Sequence, residues 1–509
     1  MATLTSDVTS MPPRRGRSSW AAPVIAFGVT ALLAGLWGGL LRLGLPVPAG
    51  RAGLPELHGV LMPLGFLGTL IAAERAVALA QSWPWIGPAA SGTGSLWLIA
   101  GRPVSSGQVM IAFAGFVLLA VYVEVHRIQP SWHNTTQAAG AACWCLAGVL
   151  WVAGEDVSRL VPWMAGFLVL TIAGERLELS RLVVLTSRGR AHFLVVVVVL
   201  LAGLALSIGD QTAGVRIAGL GLVGLAAWLA KHDVVRRTIR MSGVTRYMAV
   251  ALAAGYAWLA VAGALWLTGG HLSDGPAYDA MLHAVFLGFV FSMVFAHAPV
   301  IVPSVLRVRF PFHPISYLAL ALLHVSLVVR LVGGDAMGND RAWQTGGVLN
   351  EVAILLFLAI TATTVIRARR SERSAGQQDP EEQGGQSADA GERTEHGERG
   401  CAAGAGVEEG GDTGDGDHHE LDDQRGPIAA GVAVGLGRDV PHAGHHQDAE
   451  RRPGHLVETP RGLRGHLSAE PAQRGDQGRQ RELPAHPDGR GQRVEEQADG
   501  VPGDRDHGR

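Results

Sequence analysis

Two histidines sit inside apolar stretches, where their type and spacing could ligate a metal. His58 opens the run His58-Gly59-Val60-Leu61-Met62, and His283 opens His283-Ala284-Val285-Phe286-Leu287-Gly288. Each lies about 7 or 8 residues before the centre of its apolar run. At ~1.5 Å per helical residue, both stand ~10–12 Å from the midplane on the same side. Imidazole binds transition metals and haem iron, and two at equal depth on two helices could hold one iron axially. A packed histidine bonded to a carbonyl would read the same way from sequence alone. His297-Ala298-Pro299 and His313-Pro314 flank a short loop that also holds Arg307 and Arg309. His297 and His313 are the weaker candidates, for a second metal or an anion. His324 is mid-run with no evident partner and reads as a core residue.

The elements that must carry these residues follow from hydropathy. The chain has 509 residues, 48% apolar and 17% charged, but the average conceals two unlike parts. Up to residue 366, apolar runs of about 20 residues recur, each long enough to span a bilayer as a helix. About twelve are drawn, over 20–43, 55–79, 85–101, 106–125, 135–153, 160–176, 190–209, 213–230, 247–269, 277–303, 313–332 and 344–366. The expected fold is therefore all-α, a polytopic membrane protein with a transmembrane domain over 20–366 and a short cytoplasmic segment over 1–19. This excludes a soluble enzyme and a secreted disulfide scaffold. Cys143 and Cys145, two residues apart on one helix, point to nearly opposite sides and cannot bridge.

Arginines set the orientation. Arg14, Arg15, Arg17, Arg181, Arg188, Arg190, Arg236, Arg237, Arg240, Arg367, Arg369 and Arg370 fall on one side, whereas Glu155, Asp156, Asp210, Asp274 and Asp335 fall on the other. The basic side is the cytoplasm, so both termini are expected there, in the plasma membrane.

A motif recurs near the basic end of every fourth run. Gly65-Phe66-Leu67 leads to Ile71-Ala72-Ala73-Glu74-Arg75, and Gly166-Phe167-Leu168 leads to Ile172-Ala173-Gly174-Glu175-Arg176. The tenth run has Gly288-Phe289 and reaches His297 where the others have Glu. The repeat predicts three pseudo-repeated four-helix blocks. The Glu-Arg pairs read either as anchors at helix ends or as a route by which protons enter.

The pattern His58-Gly59-x-x-Met62 resembles the second helix of the haem–copper oxidase subunit I superfamily, where this histidine binds the low-spin haem. The stretch His283-Ala284-x-x-x-Gly288-x-x-x-x-Met293 is similar to the NnrS family, twelve-helix membrane proteins linked to haem, copper and nitric-oxide metabolism. The resemblance covers roughly 20–366. It implies one b-type haem held by His58 and His283, for electron transfer or a nitric-oxide-related stress response, with an electron donor as partner. The departures are specific. Met281 stands where the oxidases have a second histidine, and their copper ligands on helices six and seven have no counterpart. A binuclear reducing centre is not expected, and copper has no ligand set to support it.

A transporter without cofactor is the alternative, since repeats and Gly-rich helices suit carriers. Against it, no paired carboxylates are evident deep in the runs. There is no phosphate loop, dinucleotide fingerprint or catalytic triad pattern, and the arginines are explained by topology without nucleic acid. Residues 367–509 contain no Phe, Tyr, Trp, Met, Asn or Lys. Such a segment buries too little apolar surface to order. Its composition fits both a disordered tail and an out-of-frame translation of GC-rich DNA.

Overall fold

The computed structural model describes residues 21–48, 53–179, 185–306 and 312–391. Among them the fold is all helical, with no strand. The helices are α1 (Ala21–Arg42), α2 (Leu54–Leu79), α3 (Ile86–Ile99), α4 (Val104–Ile128), α5 (Trp132–Val152) and α6 (Val157–Leu179). They continue as α7 (Ser187–Leu206), α8 (Gln211–His232), α9 (Gly243–Gly269), α10 (Gly275–Leu306), α11 (Ser316–Ala336) and α12 (Asp340–Gly391). Eleven of these are long and apolar enough to cross a membrane. The exception is α3, whose 14 residues reach only ~21 Å. Large apolar side chains such as Phe113, Val195 and Val198 face outward. An outward apolar surface over so many long helices is what a multi-pass membrane protein requires, because each helix satisfies its own backbone. The helix α12 continues to Gly391, past the end expected at 366; 1–20 and 392–509 lie outside the described residues.

Turn and cap chemistry follows local sequence. Ser131, Thr186 and Asp210 accept the first free backbone N–H groups of α5, α7 and α8. Gly101 and Gly154 close α3 and α5 with positive φ. Cys143 and Cys145 are both buried and unbridged.

The three motif helices are the most enclosed: α6 is 83% buried over its apolar window, α2 67% and α10 61%. The stacked rings of Phe66 and Phe291, 6.3 Å apart, join α2 to α10, and α6 touches both. Two of these helices are interrupted at the same motif position. Leu61–Gly68 in α2 and Ala284–Phe291 in α10 are π-helical, each eight residues with the Gly-Phe pair fifth and sixth. A π-turn leaves carbonyls short of partners, and hydroxyls supply them. Ser91 on α3 donates to the Leu64 carbonyl at 2.9 Å, and Thr69 to Gly65 at 2.6 Å. A third π segment, Val329–Ala336, ends α11.

At the other end of the motif helices, the Glu-Arg pairs are cross-wired. Arg75 on α2 donates to Glu175 on α6 at 2.8 Å, and reaches its neighbour Glu74 at 3.4 Å. Arg176 stands 3.3 Å from Asp233, both buried, and Asp233 also accepts from the Tyr256 hydroxyl at 3.0 Å. The geometry is that of a clamp between helices.

Trp144 is the central packing residue of α5. It is fully buried, lies 4.9 Å from the Phe167 ring, and occupies the space that Gly68 and Gly115 leave open. Trp144→Ala is expected to lower unfolding stability by about 3–5 kcal/mol, with Trp144→Phe losing less. Thermal and denaturant melts of the purified chain check the order.

Candidate functional site

A cavity of about 820 Å³ opens where α1, α2, α6, α10, α11 and α12 converge. Both His58 and His283 line it, so the two residues singled out by spacing share one space. Its walls also carry apolar and aromatic side chains, among them Leu36, Leu67, Phe286, Phe291 and Ile354. All three π segments contribute to the wall, through Met62, Phe286 and Asp335 among others. The extra residue per turn re-aims side chains relative to an ideal helix, which is why such segments gather at functional sites.

The ring orientations are fixed. His58 Nδ1 lies 2.7 Å from the Gly35 carbonyl of α1, and His283 Nδ1 lies 2.8 Å from the Asp279 carbonyl one turn earlier. A carbonyl only accepts, so Nδ1 carries the proton and donates in both rings. The lone pair then sits on Nε2. This is the tautomer of a metal-ligating histidine whose other nitrogen is anchored by the protein. Small residues permit it: a Cβ at Gly39 would stand 3.2 Å from the His58 ring and 2.6 Å from a Glu351 carboxylate oxygen.

The other two histidine expectations resolve separately. His297 Nδ1 donates to the Met293 carbonyl at 2.7 Å, and its Nε2 is buried without a hydrogen-bond partner among the described residues. His313 is exposed and accepts from the Ile315 backbone at 3.1 Å. Arg307 and Arg309 lie outside the described residues. No group of three or more His, Cys, Asp or Glu able to hold a metal ion occurs among the described residues. His324 has a partner after all: Trp258 Nε1 donates to its Nδ1 at 3.0 Å. That is the opposite tautomer from His58 and His283.

Sequence reasoning missed the charged wall. Arg330 on α11 grips Asp279 with two hydrogen bonds of 2.7 Å, and Asp279 also accepts from Trp343 Nε1 at 3.2 Å. The Arg330 guanidinium lies 5.4 Å from the Trp343 ring centre, and the Asp279 carboxylate is 3.2 Å from His283 Nδ1. The signal was available: Asp279 precedes His283 by four residues, which puts both on one helix face. Asp335 and Glu351 also face the cavity. The expectation that the apolar runs hold no gathered carboxylates is therefore corrected; helix packing brings together acids that are far apart in sequence.

Outside the membrane-spanning helices, His271 has its pKa lowered by burial and by the nearby Arg159. It stays neutral near pH 7 and adds no charge at this end of the bundle.

Arg330 is buried and Asp279 nearly so, so losing one partner strands a charge. Arg330→Met is expected to cost about 3–5 kcal/mol, and Asp279→Asn in the same chain to recover most of it. Melting curves of the single and double variants test this; additive losses would contradict the coupling.

Comparisons with curated proteins and with solved structures find no match. One protein family matches residues 21–366, which is more than half of the chain. The match spans α1 to α12 and contains every residue of the cavity. The chain belongs to that family, described as a domain of unknown function, DUF8744.

Proposed function

We propose that this protein is a multi-pass membrane haem protein in which His58 and His283 hold one b-type haem. One observation carries the reading: two histidines from two pseudo-equivalent helices line a single cavity, each with Nδ1 bonded to a carbonyl and Nε2 left as the basic nitrogen. The fit extends to the walls, where Phe286, Phe291 and Leu67 offer an apolar surface to a flat macrocycle. The cavity lies within the size range of small-molecule and cofactor sites. When bound, the haem would supply one-electron chemistry, for electron transfer or a nitric-oxide-related response. The chain's own part is orientation. Gly35 and Asp279 fix the imidazole planes, Arg330 and Trp343 hold Asp279 in place, and the surrounding side chains limit water.

The same reading takes the twelve helices as twelve spans in three four-helix blocks around α2, α6 and α10. The high burial of those three helices and the matched π segments support it. Arginine distribution supports a plasma-membrane protein with both termini in the cytoplasm, and the cavity then opens outward. A permease is the second reading. In its favour is a large cavity carrying carboxylates inside helices long enough to span a membrane.

The test is haem content of the purified chain by pyridine haemochrome. The wild type is expected to hold about one haem per chain. His58→Ala and His283→Ala should each lose it while retaining a folded melt, and His324→Ala should keep it. Equal haem in all four proteins, or none in the wild type when haem is supplied, overturns the assignment.

A further inference from the structure

The cavity wall beside the histidines has a chemistry of its own: Glu351 and His58 both face Gly39, and Asp279 touches His283. Seven carboxylates line the cavity against two guanidinium groups, and one of those two, Arg330, is already committed to Asp279. Glu56, Asp156, Asp274 and Asp340 are exposed around the mouth. Deeper, Asp335 and Glu351 share the wall with Asn350. Asn350 is 2% exposed, and its amide nitrogen is spent on the Leu323 carbonyl at 3.2 Å and the Ser326 hydroxyl at 2.6 Å. Its amide oxygen has no partner among the described residues, and neither does the buried Oδ2 of Asp335.

When ionised, the two carboxylates only accept, as does the amide oxygen. A buried acceptor without a donor is destabilising, and like charges in a medium of low dielectric repel strongly. A ligand that relieves both must bring N–H donors and positive charge. The aromatic rings of Phe286, Phe291, Tyr278 and Trp343 on the same lining suit a cation with an alkyl body. The exposed acids at the mouth would concentrate such a cation before it enters. At this acidic stretch of wall an anionic headgroup finds the reverse of what it needs.

We propose that this wall binds a ligand bearing an alkylammonium group, with Glu351, Asp335 and the Asn350 side-chain oxygen accepting from it. The inference stands on the acceptor wall, not on the haem reading, and either can fail alone. The probes are n-butylammonium, n-butanol and butyrate, which differ only in the headgroup. Binding to the detergent-purified full chain is followed by titration calorimetry, with haem absorbance of each sample recorded separately. Saturable binding is expected for n-butylammonium alone. Glu351→Gln and Asp335→Asn keep shape but remove charge, and each should weaken it by roughly tenfold or more. Glu124→Gln, at the Arg75 end of the bundle, should leave it unchanged. Equal binding of n-butanol, no saturable binding of n-butylammonium, or wild-type affinity in both cavity variants overturns the proposal.

Discussion

The contact between Asp279 and Arg330 ties the cavity together. It joins α10 to α11 through two short hydrogen bonds, and Trp343 extends it to α12. Arg330 is buried and Asp279 largely so, so each depends on the other. The pair also holds a carboxylate beside His283, whose ring direction is then set from two sides.

The repeat gives the bundle its second constraint. Helices α2 and α10 carry the same Gly-Phe pair, and the backbone loosens to π geometry around it in both. In α2 the side chains of Ser91 and Thr69 take up the displaced carbonyls. The motif ends differ in use. Glu74-Arg75 and Glu175-Arg176 become interhelical clamps, whereas the tenth helix places His297 there with a basic nitrogen buried. The histidine cavity and the clamps thus lie on opposite halves of α2.

Much of this was legible in the sequence, for reasons that differ by feature. Hydropathy found the helices because an apolar run of about 20 residues has few other fates. His58 and His283 stood out because a histidine inside such a run is costly and rare. The π segments were hidden, since hydrophobic pattern does not distinguish an i→i+5 turn from an i→i+4 turn. Hydropathy leaves Arg330 without a role, near the end of its apolar run. Asn350 and Glu351 carry no signal of their own and Asp335 reads as one of the acids of the outer side, because their meaning arises only when α11 and α12 close against α1 and α10. Pairwise chemistry between distant segments is a property of packing, and one sequence does not carry it.

The central proposal is that His58 and His283, which line one cavity, would together hold one haem. The most direct measurement is the electron paramagnetic resonance spectrum of the oxidised, haem-loaded chain. Two imidazoles on the iron would give a strong ligand field, so a low-spin ferric signal is expected in the wild type and is expected to be lost in either single alanine variant. A high-spin signal in the wild type, or a low-spin signal that survives both variants, would contradict it.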